Sequence, residues 1–199
     1  MSEMEEIKAE TIYQDINNNH SGHSILNIIH FNDVYNIESG SIEPKAGAAR
    51  FLTVINHLKN NKFSQSIVLF SGDAFSPSEI SALTKGSQMV TCLNKFGIDS
   101  ACIGNHDFDF GVERLTVLIH ETNFPWLISN VVDKKTKKPL ANAKVKHVLE
   151  IDNSRVGLIG LVEHEWIETL SALDNDDIIY ECFVSAGNRL VHELRTIDY

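Results

Sequence analysis

The sequence CIGNHDFDFG occupies residues 102–111 and directly follows a short apolar run. Within it, the five positions from Asn105 to Asp109 hold an amide, an imidazole and two carboxylates. Polar groups at this density beside a buried strand cost free energy unless they are hydrogen-bonded or hold a ligand. The stretch therefore predicts the end of a core strand at which polar side chains gather around a bound group.

Two earlier apolar runs also end in acidic residues. "FND" follows the first run and ends at Asp33, and "SGD" follows the second and ends at Asp73. Ligands of open α/β sheets bind beyond the carboxyl ends of the strands. One such strand end would be an ordinary turn, because Asp, Asn and Gly are turn residues. Three in succession favour a cation site, since carboxylate and amide oxygens are hard ligands.

Short runs rich in Ile and Val alternate with amphipathic stretches along the chain. The pattern predicts strands over 25–31, 66–70, 100–104 and 126–132. It predicts helices over about 86–96, capped by Gly97, and about 111–121, with an earlier helix that buries Phe51, Val54, Ile55 and Leu58. This alternation indicates an α/β domain with parallel central strands.

The pattern changes in the last third of the chain. The segments 145–151 and 155–162 are separated by the turn residues "DNS", which predicts a β-hairpin. The final stretch, from Val184 onward, predicts a helix with Leu190, Val191 and Leu194 directed inward. The sequence ends where the next strand of the pattern is expected.

Composition limits the class of protein. A chain of 199 residues with 43% hydrophobic residues predicts one well-buried domain. The net charge of −10 argues against a nucleic-acid partner or an anionic membrane surface. No apolar run approaches the roughly 20 residues of a membrane span.

The first 24 residues are polar and predict a flexible leader, followed by the domain over 25–199. The start of the chain is acidic and lacks the hydrophobic segment of a secretory signal. Cys92, Cys102 and Cys182 are odd in number and scattered, which is typical of a reduced thiol rather than a disulfide scaffold. These features predict a cytoplasmic location.

The motifs "FNDVY", "SGDAFSPS" and "GNHDFDFG" resemble the first three motifs of the calcineurin-like metallophosphoesterases. The second acid of the third motif, Asp109, is similar to that of the 5'-nucleotidase branch. The resemblance runs from about Leu26 to the C-terminus and includes "SNV" at 129–131. It implies a layered α/β/β/α sandwich, two divalent metal ions (Mn, Zn, Mg or Fe) and hydrolysis of a phosphate monoester, with a nucleotide as the leading substrate.

The resemblance also implies a role for each matching residue. Asp33 would bind the first metal ion, Asp73 would bridge both ions, and Asn105 would bind the second ion and approach the phosphate. His106 would stabilise the transferring phosphoryl group or its leaving oxygen. Asp109 would orient His106 and favour its charged form. A two-metal site of this kind clamps a phosphoryl group for attack by water.

Tyr35 departs from the family pattern, which normally has histidine two positions after the first aspartate. A phenol binds a metal ion only when the ion displaces its proton. Tyr35 is therefore either a fourth metal ligand beside Asp33, Asp73 and Asn105, or a side chain that packs or hydrogen-bonds next to them. Both alternatives stay open at this point.

The two further histidine motifs of the family, a lone His and Gly-His-x-His, are not found in the sequence. The sandwich is therefore expected to be incomplete at its C-terminus, and the 199-residue chain to be a weak or inactive phosphatase. His164 is the first candidate to complete the site, although a surface turn is the simpler interpretation of that residue. The competing functions are a degenerate, non-catalytic binding domain and a phosphodiesterase or protein phosphatase.

Overall fold

The structure, a computed structural model, describes residues 25–62, 65–151 and 154–196. The leader predicted over residues 1–24 lies outside these residues, as do two residues of the turn in the predicted hairpin. The flexibility of the leader and the domain boundary at residue 25 therefore stay predictions.

A four-stranded parallel sheet forms the centre of the fold. Its strands are β1 (Asn27–Phe31), β2 (Ser66–Phe70), β3 (Ser100–Cys102) and β4 (Trp126–Leu127). They lie side by side in the order β1-β2-β3-β4, and every neighbouring pair is parallel. This confirms the predicted α/β class. Among the described residues β1 pairs on one side only, and its Ile28 is 59% exposed.

Helices fill the connections between these strands: α1 (Ala48–His57), α2 (Glu79–Thr84), α3 (Ser87–Lys95) and α4 (Val112–Glu121). A single π-helical turn, Leu58–Lys62, continues α1. Gly97 follows α3 with a φ of 66°, the left-handed conformation predicted for that cap. The sequence pattern missed α2, whose six residues carry too little periodicity to be recognised.

The main core lies between the sheet and these helices. It joins Val68 and Phe70 of the sheet to Ile55, Leu93 and Leu118 of the helices, all of them at most 1% exposed. Phe31, Phe51, Phe70 and Phe96 pack ring against ring within it. The prediction for Val54 was wrong: Val54 is 53% exposed, and Leu52 packs on the core instead.

The strand predicted over 126–132 is in fact two strands in different sheets. β4 ends at Leu127, and β5 (Val131–Asp133) pairs antiparallel with β8 (Ile178–Tyr180). The break occurs at Ser129 and Asn130, which are buried and hydrogen-bond to backbone groups of another segment. An apolar run interrupted by two buried polar residues reads as continuous in sequence, because only the folded chain supplies their partners.

The last third of the chain forms the predicted hairpin, β6 (Lys146–Ile151) with β7 (Ser154–Ile159), followed by α5 (Glu165–Glu168) and α6 (Phe183–Thr196). Leu194 of α6 lies over Gly157, where an added Cβ would meet Leu194 Cδ1 at 2.9 Å. Leu190 and Leu194 are buried as predicted. Val191 is 37% exposed, contrary to the prediction, and Ala186 takes its place in the interior.

Candidate active site

The three polar strand ends open into one cleft. Asp33 follows β1, Asp73 follows β2 and Asn105 follows β3, and all three line a cavity of about 620 Å³. The opposite wall comes from the segment between β7 and α5 and the start of α5 itself, including Glu163 and Trp166. The parallel sheet thus brings together side chains that are far apart in sequence.

The two aspartates occupy unusual backbone conformations. Asp33 has a φ of 56° and Asp73 a φ of 64°, both in the left-handed region. Asp tolerates this region better than most residues, but the conformation stores strain that tends to occur at functional sites. The two turns brace each other: Asp33 N–H donates to Gly72 O at 3.1 Å, and Val34 N–H donates to Asp73 O at 3.0 Å.

Two glycines allow the turns after β2 and β3 to touch. A Cβ on Gly72 would lie 2.2 Å from the backbone nitrogen of Gly104. A Cβ on Gly104 would lie 2.1 Å from Asp73 Oδ1. Gly72 also has a φ of 85°, whereas Gly104 is required for space alone. A side chain at Gly104 would collide with Asp73, and one at Gly72 would force the turns after β2 and β3 apart.

Asp107 is the residue that fastens these turns together. Its carboxylate is 1% exposed and accepts four backbone N–H groups. The donors are Asp73 and Gly104 to Oδ2, at 3.0 and 2.9 Å, and Ala74 and Phe75 to Oδ1, at 2.8 and 3.3 Å. Burial raises the pKa of Asp107, and the four donors oppose that shift.

Sequence reasoning gave Asp107 no role, although it lies inside the most informative motif. The available signal was a carboxylate directly before the buried Phe108, which needs donors of its own to be accommodated. Three of the four donors belong to backbone groups more than 30 residues away, so the sequence could not name them.

The opposite wall is held by a neutral pair. Ser129 Oγ donates to Val145 O at 2.5 Å and accepts Gly160 N–H at 2.8 Å. The Asn130 amide donates to Val162 O at 2.8 Å and accepts Val162 N–H at 3.0 Å. It also donates to the carbonyl of Glu181 at 3.0 Å. Because Gly160 and Val162 line the cleft, this pair places its second wall.

His106, Asp109 and Tyr35 lie beside the cleft. His106 Nδ1 and Asp109 Oδ2 are 3.1 Å apart, with the His106 side chain 41% exposed. The backbone N–H of His106 donates to Asp73 Oδ1 at 2.8 Å, which ties the pair to the cleft. The Tyr35 hydroxyl donates to Asp33 Oδ1 at 2.5 Å, and its ring meets His106 edge to face.

Burial and mutual repulsion shape the titration of the site. Burial, and then the negative charge of Asp107, raise the pKa of Asp73 to about 6. Burial raises the pKa of Cys102, which also lines the cleft, to about 12. Burial and the hydrogen bond to Asp33 raise the pKa of Tyr35 well above its ordinary value. The phenol and the thiol are therefore protonated at neutral pH.

Comparison with known proteins agrees with this geometry. A sequence model described as calcineurin-like phosphoesterase matches residues 26–188. The chain belongs to the calcineurin-like phosphoesterase family. Members of the 5'-nucleotidase group are among its relatives: bovine 5'-nucleotidase is 27% identical over 190 residues, which cover 87% of this chain and 32% of the bovine protein.

Solved structures show the same fold for this phosphoesterase domain. The NAD nucleotidase of Haemophilus influenzae superposes with a TM-score of 0.72 at 23% identity, over 85% of this chain and 32% of that one. A 5'-nucleotidase precursor from Thermus thermophilus gives a TM-score of 0.72 at 20% identity, over 85% and 34% respectively. The chain thus spans about a third of the length of these relatives.

The donor atoms of the phosphoesterase cleft are of the chemical types that bind a hard divalent cation. Asp33 and Asp73 provide carboxylates and Asn105 an amide, and the residues lining the cleft include no Lys or Arg. Burial, and then the neighbouring carboxylate of Asp107, raise the pKa of Asp73, and a cation bound in the cleft would oppose both effects. In number the set is small: within residues 25–62, 65–151 and 154–196, no group of three or more His, Cys, Asp or Glu side chains is placed to hold a metal ion.

The other histidines considered from the sequence lie outside the lining of the cleft. His164 is exposed at the N-terminus of α5, and its ring packs against Tyr180. His120 and His192 are exposed on helices, and His147 is half-buried on β6. Across the described ranges, no helix is long and apolar enough to cross a membrane.

Proposed function

We propose that this phosphoesterase domain is the metal-binding part of an enzyme that hydrolyses phosphate monoesters, with nucleotides as the leading substrate. The observation that carries the proposal is the meeting of Asp33, Asp73 and Asn105 in one cleft with the His106–Asp109 pair beside it. A phosphate dianion would be repelled by such a cleft unless cations were bound there, because its lining is acidic and lacks Lys and Arg.

Asp33, Asp73 and Asn105 would hold the divalent ions, with Asp73 shared between two of them. Bound divalent ions neutralise phosphoryl oxygens and supply a nucleophile from water at neutral pH. The chain prepares these ligands in advance: Asp107 fixes the backbone of Asp73, and His106 N–H holds Asp73 Oδ1. One oxygen of Asp73 is thus fixed by the protein while the other is left for a ligand.

His106 and Asp109 would act on the other side of the phosphoryl group. The protonated imidazole donates to Asp109 through Nδ1 and has Nε2–H left to donate to a phosphoryl or leaving-group oxygen. Asp109 fixes the direction of the ring and stabilises its positive charge. Asn105 lies three residues after the end of β3 and lines the cleft, where its amide can donate to the same phosphate.

Nucleotides lead the list of substrates for two reasons. The relatives of this chain include proteins named 5'-nucleotidase and NAD nucleotidase. The cleft of about 620 Å³ also lies within the size range of small-molecule sites, roughly 300–1,000 Å³. Beyond the carboxylates, the wall of Glu163, Glu165 and Trp166 offers acceptors and an aromatic face to the leaving group.

The test compares the 199-residue chain with a version extended by whatever its gene encodes after Tyr199. Release of inorganic phosphate is measured from 5'-AMP, p-nitrophenyl phosphate and bis-p-nitrophenyl phosphate, with Mn²⁺, Zn²⁺ or Mg²⁺ added in turn. We expect metal-dependent hydrolysis of the monoesters by the extended version and weak hydrolysis by the chain alone. Asp73→Asn and His106→Asn should each lower the rate roughly 100-fold or more.

Asp176→Asn, in an exposed turn before β8, is the matched control and should leave the rate unchanged. Preference for the diester would replace this proposal with a phosphodiesterase. Metal binding without hydrolysis of any substrate would favour the non-catalytic binding domain. The small number of metal-ligating side chains in the described part of the chain is an argument for that alternative. Equal rates for the two versions would show that all necessary ligands lie within the 199 residues, with His164 the first to test.

A further inference from the structure

Tyr35 makes one specific polar contact in the site. Its hydroxyl donates to Asp33 Oδ1 at 2.5 Å, and the other oxygen of Asp33 accepts the side-chain amide of Asn32. A phenol has a single proton, and here that proton is directed to a carboxylate. Tyr35 therefore approaches Asp33 as a hydrogen-bond donor, and Asp33 is held at both of its oxygens.

The ring of Tyr35 contacts His106 of the His106–Asp109 pair. Tyr35 and His106 meet edge to face at right angles, with 6.1 Å between ring centroids. Tyr35 is half-buried, so this position is enforced by packing rather than by the hydroxyl alone. One side chain thus touches both a carboxylate proposed to bind metal and the histidine proposed to act on the phosphoryl group.

We propose that Tyr35 is a positioning residue that holds Asp33 with its hydroxyl and His106 with its ring, and that a site with Tyr35 in place of an imidazole favours Zn²⁺ over Mn²⁺ less strongly than a site with histidine at this position would. The proposal rests on the proposed function, because it concerns ions bound by Asp33, Asp73 and Asn105. Imidazole and thiolate are the protein ligands that most favour Zn²⁺. Cys102 lines the cleft, and its thiol donates to the carbonyl of Ile103 at 3.8 Å.

The experiment measures metal binding rather than turnover. Mn²⁺ binding to the 199-residue chain is followed by the electron paramagnetic resonance signal of the free ion, and Zn²⁺ binding by competition with a chromogenic chelator. The variants are Tyr35→Phe, which removes the hydroxyl, and Tyr35→His, which offers an imidazole. The ring resonances of His106 are recorded for each by NMR.

Tyr35→Phe should lower the affinities for Mn²⁺ and Zn²⁺ to a similar extent, about 10-fold, because Asp33 loses the hydroxyl that orients it while the metal ligands themselves remain. Tyr35→His should raise the ratio of Zn²⁺ to Mn²⁺ affinity roughly 10-fold or more. The His106 resonances should shift little in Tyr35→Phe, which keeps the ring, and clearly in Tyr35→His. Tyr180→Phe is the matched control, because Tyr180 packs on His164 in the same edge-to-face manner.

Two results would overturn the proposal while the proposed function stands. One is binding with an unchanged Zn²⁺ to Mn²⁺ ratio in Tyr35→His. The other is a visible phenolate band with Fe³⁺ that disappears in Tyr35→Phe, which would make Tyr35 a metal ligand. Failure of the wild-type chain to bind any divalent ion would instead overturn the proposed function, and this proposal with it.

Discussion

The two walls of the cleft are fastened by different kinds of buried polar side chain. One wall of the cleft, the carboxylate wall, is formed by Asp33, Asp73 and Asn105. Beneath it, the charged Asp107 accepts four backbone N–H groups from the turns after β2 and β3. On the opposite wall, the neutral Ser129 and Asn130 share their bonds between donors and acceptors around β7. Each side chain reaches a segment distant in sequence, and each satisfies backbone groups that would otherwise be buried without partners.

The difference follows from what each wall must hold. The turns after β2 and β3 present N–H groups that all point to one place, and only an anion can accept so many of them. The opposite wall mixes N–H and C=O groups, which an amide and a hydroxyl match without charge. We expect the four hydrogen bonds to Asp107 to stabilise the fold more than those of Ser129 and Asn130, and the charge of Asp107 adds to a site that is already acidic. Four substitutions test this comparison.

Asp107→Asn should cause the largest loss. The amide keeps one acceptor oxygen and turns a donor towards two of the four N–H groups, so two bonds are lost and two donors are opposed. We expect the free energy of unfolding to fall by about 3–5 kcal/mol. Chemical denaturation measures the change. Asp133→Asn, on a turn where a carboxylate also accepts a backbone N–H, is the control and should cost less than about 1 kcal/mol.

Asn130→Ala should follow, with a loss of about 2–3 kcal/mol. The substitution removes three hydrogen bonds and leaves the peptide groups of Val162 and the carbonyl of Glu181 without their partner. Asn123→Ala, at an exposed asparagine after α4, should change the free energy of unfolding little. If Asn130→Ala lowered the free energy of unfolding more than Asp107→Asn does, the neutral side chains would be the stronger of the two sets of contacts.

We expect the contribution of the carboxylate wall to stability to depend on pH, and the contributions of Ser129 and Asn130 to be independent of it. The pKa of Asp73 is raised to about 6 in the folded, metal-free protein, above its unfolded value of 3.8. Its contribution to stability is therefore complete below about pH 4 and is lost as the pH rises through about 6. With a chelator present, the difference in unfolding free energy between wild type and Asp73→Asn should change by about 1–2 kcal/mol over this window. A flat difference would show that Asp73 titrates normally.

Ser129→Ala should have the smallest effect, about 1–2 kcal/mol, because it leaves one N–H and one C=O unpaired. The loss should be the same at pH 4.5 and pH 7. Ser87→Ala, at an exposed serine that donates to the Thr84 carbonyl, should be nearly neutral. A pH-dependent loss in Ser129→Ala would mean that the neutral wall senses the charges across the cleft.

Local patterns were sufficient for the part of the fold that repeats. The three polar strand ends and the hairpin each have a signature within about ten residues of sequence, the parallel strands follow from the alternation of strands and helices, and the structure has all of them. The convergence of Asp33, Asp73 and Asn105 followed from the geometry of parallel strands. The roles of these residues, with those of Tyr35, His106 and Asp109, stay predictions.

What the sequence could not supply depends on distant partners. The four donors of Asp107 and the carbonyls bound by Asn130 are backbone groups, which leave no mark in residue types. The break between β4 and β5 arises from the same contacts. Among the short elements, α2 begins at a reciprocal cap between Ser78 and Ser81, and β8 is formed by its pairing with β5, so neither depends on a periodicity of its own.

The order of the central sheet has a consequence for how the protein is made. Strands β1 to β4 lie in the same order in space as along the chain, so the pairing partner of each new strand has already been synthesised when that strand emerges from the ribosome. Asp33, Asp73, Asn105 and Asp107 all belong to this early part. Residues 160–162 of the opposite wall are synthesised later, after Ser129 and Asn130, the side chains to which they hydrogen-bond. The residues of the carboxylate wall are thus available before residues 160–162 of the second wall have been synthesised.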